Sequence, residues 1–174
     1  MAKTIRPVSD TDDLAAITEL VHSAYAPHAA AGLRYWGTHQ SVEDTKSRFA
    51  SGTGFVALES ARYVGVVILR PPQPDSSVPL YREPDIWSLS QFCVAPERKG
   101  GGLGRKLHDF ALSRAAAAGA RFIALDTAEP AHALIAMYER WGYTVVGACD
   151  WRPHTNYRSV LMRRPIALEV EGGP

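Results

Sequence analysis

The sequence has little of several things that would mark a specialised class of protein. Its 19 Lys and Arg residues almost balance 18 Asp and Glu residues, giving a net charge of +1, whereas a chain that binds nucleic acid along an extended face is far more basic. No stretch approaches the ~18 apolar residues that span a bilayer, and Met1 to Pro7 lack the apolar run of a secretory signal. We therefore expect no nucleic-acid partner, no membrane association and a cytoplasmic location.

Cysteines and metal-binding motifs are equally scarce. The two cysteines, Cys93 and Cys149, are far apart and each lies in an apolar run, which favours two buried free thiols over a disulfide. The sequence has no CxxC pair and no HExxH motif, so we expect no metal site. With 46% hydrophobic and 21% charged residues, the chain has the composition of a single globular domain spanning residues 1–174.

Hydrophobic periodicity and chain breakers predict a mixed order of elements. Antiparallel strands come first and a strand–helix–strand–helix–strand series follows, so the chain is of the α/β (α+β) class. Prolines make residues 71–85 a stiff connection, because proline cannot donate to a sheet. The predicted elements are strand 4–9, a helix from a cap at Ser9 or Asp10 to about Tyr25, a helix from a Ser41–Asp44 capping box to about Phe49, a hairpin of strands 54–59 and 63–69, strand 86–94, helix 102–118, strand 122–126, a helix from about Pro130 to Gly142, and strands 143–148 and 159–162.

The most informative segment is a glycine cluster between the strand that ends at Val94 and the next helix. Residues 99–105 read Lys-Gly-Gly-Gly-Leu-Gly-Arg. The unpaired amides and partial positive charge of a helix N-terminus stabilise an anion, and glycines let the backbone approach phosphate oxygens closely. Arg98, Lys99 and Arg105 add positive charge around the same point. The segment therefore predicts a cradle for a diphosphate.

Two familiar phosphate motifs do not fit this cluster. A Walker loop ends in Gly-Lys-Ser/Thr, but Gly104 is followed by Arg-Lys-Leu. A GxGxxG dinucleotide fingerprint started at Gly102 has Leu107 where its last glycine belongs, and one started at Gly100 has Arg105 there. A nucleotide-binding switch or kinase is therefore disfavoured.

The run from Lys99 to Gly104, placed after a strand ending Val94-Ala95-Pro96, resembles the pyrophosphate loop of the GNAT superfamily of N-acetyltransferases. The family pattern begins with Arg or Gln, and Lys99 stands there without Arg's bidentate contact. The resemblance implies acetyl-CoA as co-substrate and a twisted mixed β-sheet of about six to seven strands flanked by about four helices. It implies that the cofactor-binding residues are Phe92, Cys93 and Val94, whose backbone pairs with the pantetheine amides, and Arg98, Lys99, Gly100, Gly101, Gly102, Leu103, Gly104 and Arg105.

A second segment resembles the same family. Residues 138–143 read Tyr-Glu-Arg-Trp-Gly-Tyr and are similar to the Tyr-Glu-x-x-Gly-Phe/Tyr ending of the family's later helix. The resemblance implies that Tyr138 is the catalytic residue, placed beside the CoA sulfur to give a proton or a hydrogen bond to the leaving thiolate. The family often has Asn near the start of this helix. Ala131 takes that position here, so that contact is lost or supplied otherwise.

The sequence does not identify the general base or the acceptor. Several family members carry Glu or His on the strand before the loop, where this chain has Ser88, Ser90 and Gln91, none of them a competent base. The alternatives are a water chain or one of five residues elsewhere, namely Glu83, Asp85, Asp126, Glu129 and His154. We expect segments 25–37 and 71–85 to build the acceptor pocket, with aromatic side chains from Tyr25, His28, Tyr35, Trp36 and Trp87.

The sequence thus predicts an N-acetyltransferase that moves an acetyl group from acetyl-CoA to a primary amine of a small molecule or amino acid, by direct attack in a ternary complex. Two alternatives stay open. One is an acyl-CoA-binding regulatory module of the same fold without turnover, because the strand base and the Asn are missing. The other is a peptide or protein N-acetyltransferase. A homodimer is compatible with the sequence.

Overall fold

The computed structural model describes residues 3–167, which form one seven-stranded sheet with four helices on its two faces. This arrangement confirms the predicted α/β class and the number of strands and helices. The predicted capping box opens the second helix, where Ser41 and Asp44 make both reciprocal bonds. The elements are β1 (Lys3–Pro7), α1 (Leu14–Ala30), α2 (Val42–Ala50), β2 (Thr53–Glu59), β3 (Arg62–Arg70), β4 (Ile86–Val94), α3 (Leu103–Ala117), β5 (Phe122–Ala128), α4 (His132–Arg140), β6 (Thr144–Asp150) and β7 (Arg158–Pro165), with short 3₁₀ turns at Trp36–Thr38, Pro79–Arg82 and Pro96–Arg98.

The sheet has the strand order β1-β2-β3-β4-β5-β7-β6. Every neighbouring pair is antiparallel except β4 and β5, which run parallel. The predicted hairpin joins β2 and β3 through Ser60 and Ala61, whose positive φ values of 50° and 65° give the tight reversal that suits the strand twist. The one parallel pair therefore sits at the centre of the sheet, between two antiparallel halves.

The two faces of the sheet pack against different helices. Helix α3 packs on the face that carries Val67 and Leu69 of β3, whereas α1 packs on the face that carries Val66. Because successive strand residues point to opposite faces, Ile68 and Arg70 share the α1 face with Val66. None of the helices within residues 3–167 is both long and apolar enough to cross a membrane.

The first helix differs from the prediction at both ends. Asp13 caps it, since its carboxylate accepts a 3.0 Å hydrogen bond from the third amide that follows. The predicted caps Ser9 and Asp10 lie in the preceding turn, where the Ser9 amide donates to the Asp12 carboxylate at 2.8 Å. The helix also continues past Pro27 to Ala30, so the proline does not end it.

The end of α4 fixes the position of two tyrosines. Gly142 takes a left-handed φ of 91°, and its amide donates to Glu139 O at 3.0 Å while the Tyr143 amide donates to Tyr138 O at 3.0 Å. These are the two bonds of a Schellman ending. The ending brings the rings of Tyr138 and Tyr143 to a centroid distance of 5.5 Å.

We expect Gly142→Ala to lower the free energy of unfolding by about 1–2 kcal/mol, because an L side chain is strained at this φ. A Cβ there would meet the Arg164 side chain at an ordinary 3.8 Å, so strain rather than a clash causes the loss. Urea unfolding measures the change. Gly147→Ala in β6 is the control, since its φ is not left-handed and its Cβ would meet Leu161 at 3.7 Å. Equal losses in the two variants would contradict this account.

Candidate active site

The centre of the sheet opens where β4 and β5 part. The two strands pair over only three residues each, Ile86–Ser88 with Phe122–Ala124. Farther along, residues 89–94 of β4 have no partner in β5, whose residues 125–128 pair only with β7 on its other side. Backbone N–H and C=O groups along such an opening are available to a ligand. Such free backbone groups suit the pairing with pantetheine amides that the family resemblance implies.

A β-bulge bends β4 at the start of this opening. Two residues of β4, Gln91 and Phe92, oppose the single residue Val67 of β3. Gln91 takes a left-handed φ of 48°, which costs a residue with a Cβ roughly 1–2 kcal/mol. A bulge bends its strand and increases its twist, so it accounts for the way β4 leaves β5.

A buried hydrogen-bond network holds the bulge in place. Gln40, which precedes α2, donates from Nε2 to Gln91 Oε1 at 2.9 Å and to Thr45 Oγ1 at 2.7 Å. Arg48 donates from Nη1 to Gln40 Oε1 at 2.9 Å. Gln40 and Gln91 are 1% and 3% exposed, so loss of the hydrogen bond to Gln91 Oε1 would leave a buried carbonyl unpaired and cost about 1–3 kcal/mol. The Gln91 Nε2 has no hydrogen-bond partner among residues 3–167. The sequence does not predict the contact between Gln40 and Gln91, because two glutamines far apart in the chain form no local pattern.

Two residues of β4 direct their backbone into the opening. The Ala95 amide donates to β3 at 2.8 Å, and Cys93 pairs with β3 in the same register, so both face that strand. By alternation, Phe92 and Val94 direct their peptide groups to the opposite edge. The Tyr25 hydroxyl donates to the Phe92 carbonyl at 3.4 Å. Of the three residues predicted to pair with pantetheine, the geometry therefore favours Phe92 and Val94 over Cys93.

The glycine loop places free amides at the end of the opening. Gly100 and Gly102 both have a φ of 78°, and a Cβ on either would meet nothing within 4 Å, so the backbone conformation rather than space requires glycine. Gly102 caps α3, and the Lys106 amide donates to its carbonyl at 3.1 Å. Within residues 3–167 the amides of Leu103, Gly104 and Arg105 have no backbone acceptor, as at every helix start.

The three predicted cations of the loop differ in their partners. Arg98 forms an ion pair with Glu59 of β2. Arg105 donates from Nε to Asp109 at 3.0 Å, one turn farther along α3. Lys99 is exposed and has no ion pair among residues 3–167. Lys99 is therefore the predicted cation whose charge is not already balanced by a carboxylate.

Tyr138 lies buried beside the opening. Its side chain is 6% exposed, and its ring packs edge-on against Trp141 at a centroid distance of 5.7 Å. Burial raises the pKa of Tyr138, and nearby Tyr143, Tyr35 and Cys93 raise it further. The hydroxyl makes no hydrogen bond to any residue between 3 and 167. Tyr138 therefore presents an unused, protonated hydroxyl close to β4.

Both cysteines are free thiols, as the sequence predicts. Burial raises the pKa of the Cys93 thiol to about 12, although Arg48 and Lys99 act in the opposite direction. A thiol that stays protonated is a poor nucleophile. No group of three or more His, Cys, Asp or Glu side chains in residues 3–167 is arranged to hold a metal ion.

Aromatic side chains cover the opening from the α1 side. Tyr25, His28 and Tyr35 pack on one another with ring centroids 4.5 to 5.7 Å apart. Tyr35 also reaches β5, where its hydroxyl accepts a hydrogen bond from the Ala128 amide at 3.2 Å. Tyr157, which the sequence analysis did not single out, joins the group 4.9 Å from Tyr35. These four rings form a wall, here called the aromatic cluster.

The two predicted tryptophans lie elsewhere. Trp36 is 36% exposed and packs against His154 at a centroid distance of 5.4 Å. Trp87 packs against the hydrophobic cluster beneath α3, on the same face of β4 as Leu89. Trp87 therefore does not line the opening, because the alternation of β4 turns it away from α1.

One predicted base candidate stands apart from the other four. Asp126 lies on β5 and is mostly buried, and its carboxylate accepts hydrogen bonds from Tyr81 Oη at 2.5 Å and from Trp151 Nε1 at 2.9 Å. Burial raises the pKa of Asp126, although those hydrogen bonds oppose the shift. Two residues beyond Ala124, it shares the sheet face of α1. The four exposed candidates are Glu83, Asp85, Glu129 and His154.

Comparisons with known proteins agree with this geometry. The model of the acetyltransferase (GNAT) family matches residues 15–143. S-(2-succino)cysteine N-acetyltransferase of Bacillus subtilis (strain 168) is 29% identical over 140 residues, covering 79% of this chain and 82% of the relative. The crystal structure of the ribosomal-protein-S18-alanine N-acetyltransferase from Escherichia coli has a TM-score of 0.71 at 19% identity and covers 99% of both chains. A GNAT family acetyltransferase from Elizabethkingia anophelis with acetyl-CoA bound has a TM-score of 0.68 at 14% identity, over 94% of this chain and 97% of that one.

Proposed function

Since the chain belongs to the acetyltransferase (GNAT) family, and is therefore an acyltransferase enzyme, we propose that it transfers an acetyl group from acetyl-CoA to a primary amine of a small molecule or amino acid. One observation carries the proposal. The free amides of α3, the open edge of β4 and the unused hydroxyl of Tyr138 border the same opening between β4 and β5. We expect the enzyme to act in the cytoplasm.

The opening suits acetyl-CoA along its length. The pyrophosphate would bind the amides of residues 100–105, where the helix start favours negative charge, with Lys99 as the unpaired cation. Pantetheine amides would bond to the edge presented by Phe92 and Val94. Arg98 and Arg105 would contribute by exchanging their present carboxylate partners for phosphate.

The chemistry is a direct transfer. Asp126 takes a proton from the acceptor ammonium, directly or through water, and the freed amine attacks the thioester carbon. The carbon–nitrogen bond forms, the carbon–sulfur bond breaks, and the departing thiolate accepts a hydrogen bond from Tyr138. The nitrogen loses its second proton to the thiolate sulfur, directly or through water, so CoA leaves as its thiol. Because the pKa of Tyr138 is raised, donation of a hydrogen bond is favoured over net proton loss. Cys93 does not carry the acetyl group, because its thiol stays protonated.

The relatives bear on the acceptor in two ways. The curated relative is named for a modified amino acid, S-(2-succino)cysteine, which supports a small acceptor. The E. coli structure is named for the alanine of a ribosomal protein, which supports a peptide terminus as the alternative. The aromatic cluster closes the opening on one side, and an enclosed site suits a small molecule better than a chain. A binding module without turnover is the second alternative, and CoA release with a panel of amines separates it from an enzyme.

We expect Gly102→Glu to abolish acetyl-CoA binding in calorimetry, because it adds a side chain and a negative charge where the phosphates would lie. Gly119→Glu is the matched control at the other end of α3. Gly119 is also left-handed, with a φ of 89°, and its Cβ would also meet open space. Backbone strain is therefore shared by the two variants. Tight binding by G102E, or loss of binding in both variants, would contradict the loop assignment.

We expect Tyr138→Phe to reduce kcat about 100-fold while the Kd of acetyl-CoA changes less than about twofold, since the hydroxyl acts on the leaving thiolate only. Tyr143→Phe is the control, because this buried tyrosine bonds His108 Nε2 at 2.8 Å rather than facing the opening. It should lower stability and keep kcat. A Y138F enzyme with unchanged kcat would remove Tyr138 from the mechanism.

We expect the pH profile to report Asp126. A base with a raised pKa loses its charge, and activity falls, as the pH drops through that pKa. Log kcat/KM should climb with a slope of about one through the pKa of Asp126 and then level off, whereas D126N should lack that inflection and have a much lower kcat/KM. The groups around Asp126 are Tyr81, Trp151, Ser159, Arg48, Arg70, Tyr35, Tyr157 and Cys149. D85N, which removes an exposed carboxylate, should keep the parental profile, and an unchanged profile in D126N would exclude Asp126 as the base.

A further inference from the structure

Two arginines lie partly buried on the α1 face without a carboxylate bonded to either. Arg70 ends β3, and its Nε is buried with no hydrogen-bond partner among residues 3–167. Arg48, in the last turn of α2, donates to Gln40 Oε1 at 2.9 Å and to no other group in the described residues 3–167. No ion pair within the described chain includes either residue. Because buried guanidinium groups are normally paired, most of their hydrogen-bonding capacity is unused here.

The chain segment that carries Arg48 packs against the end of β3 that carries Arg70. The turn that follows α2 packs directly on the end of β3, since a Cβ on Gly52 would lie 3.1 Å from Arg70 Cα. Burial lowers the pKa of Arg48, and the positive charge of Arg70 lowers it further. Burial likewise lowers the pKa of Arg70. Two like charges held in a low-dielectric site repel each other, and an anion between them would relieve that repulsion.

Asp126 faces the same space but does not neutralise the pair. Arg70 pairs in register with Ser88, and Ser88 with Ala124, so Asp126 lies two residues along β5 on the same face. Its oxygens accept from Tyr81 and Trp151 rather than from an arginine. Two guanidinium groups and one carboxylate therefore surround this side of the opening, and the balance of charge is positive.

An anion bonded to these arginines would not be the cofactor's pyrophosphate. Arg70 lies level with Ser88, whereas the glycine loop follows Val94, six residues farther along β4. At about 3.3 Å per residue, Ser88 and Val94 are roughly 20 Å apart. Arg48 is linked through Gln40 to Gln91, which lies between these two points. The anion that suits the arginines must come from the other substrate.

We propose that Arg48 and Arg70 bind a carboxylate of the acceptor, which makes the acceptor a free amino acid or a related amino carboxylate. This inference rests on the proposed function. The carboxylate would lie in the planar forks of the guanidinium groups, and the amino group of the same molecule would face Asp126. A peptide N-terminus has an uncharged carbonyl where a free amino acid has its carboxylate, so it leaves the arginines unpaired.

Calorimetry on the full chain with CoA bound tests the binding site directly. The probes are the common L-amino acids and, for those that bind, the matching α-amides. At least one acid should bind about tenfold or more tightly than its amide, and Arg70→Gln should weaken the acid about 100-fold while leaving the amide unchanged. No binding by any acid, equal binding of acid and amide, or equal weakening of both by R70Q would overturn the proposal.

Three further variants distinguish the effect of positive charge from that of the planar guanidinium group, and both from general effects on folding. Arg70→Lys keeps the charge but loses the planar fork, so its affinity for the acid should lie between those of the parent and R70Q. Arg48→Lys should weaken the acid selectively while keeping a donor for Gln40. Arg62→Gln, at the β2–β3 hairpin and paired with Glu97, is the control and should bind acids like the parent. Selective loss in R62Q would count against a local site.

Release of CoA from acetyl-CoA distinguishes the two proposals. With the acids that bind, R70Q should raise KM about 100-fold and change kcat little. If acids bind through Arg70 but no CoA is released with any amine, the carboxylate site stands and the transferase proposal fails. If amides or peptide N-termini are acetylated as well as the acids, the transferase stands and the carboxylate site is wrong.

Discussion

The buried hydrogen bond between Gln40 and Gln91 ties the loop before α2 to the bulge in β4. In the bulge Gln91 takes a left-handed φ, which is unfavourable for a residue with a Cβ. The hydrogen bond from the Gln40 side chain offsets that free-energy cost. Because the bulge bends β4, it separates two strands that would otherwise pair along their length. The free strand edge, the approach of Tyr138 and the space in front of Asp126 all depend on that separation.

The site has a different electrostatic character at each end. At the loop, backbone amides and the helix start supply positive potential without a long side chain. On the α1 face, the positive charge comes from two arginine side chains beside one carboxylate. Between these ends, the tyrosines and the Cys93 thiol stay uncharged, because burial raises the pKa of each. The opening thus has charged ends and a neutral middle, which is where an uncharged thioester would lie.

Features that depend on residues close together in the sequence were mostly predicted correctly. The range of β4 was predicted correctly, the Ser41 capping box opens α2 as expected, and the glycine cluster does lie between a strand and a helix start. These features depend on neighbours within a few residues. The cap of α1 was placed wrongly because Ser9, Asp10 and Asp13 are all suitable residues, and the contacts of Asp12 decide among them.

Features that depend on distant contacts were not predictable in the same way. The Gln40–Gln91 pair, the approach of Arg48 to Arg70 and the place of Tyr157 in the aromatic cluster all join segments that are far apart in the chain. Trp87 illustrates the same limit, since an aromatic residue on a strand faces one side or the other according to the register. Asp126 was one candidate among five until its burial distinguished it.

The tyrosine hydroxyls at the opening have a consequence for solubility. A sheet that opens in the middle exposes two strand edges, and exposed edges invite pairing with strands of other chains. Here Tyr25 bonds to the carbonyl of Phe92 on one edge, and Tyr35 bonds to the amide of Ala128 on the other. The two hydroxyls thus occupy backbone groups on both strand edges, which disfavours edge-to-edge aggregation, and they do so without an extra strand that would fill the opening.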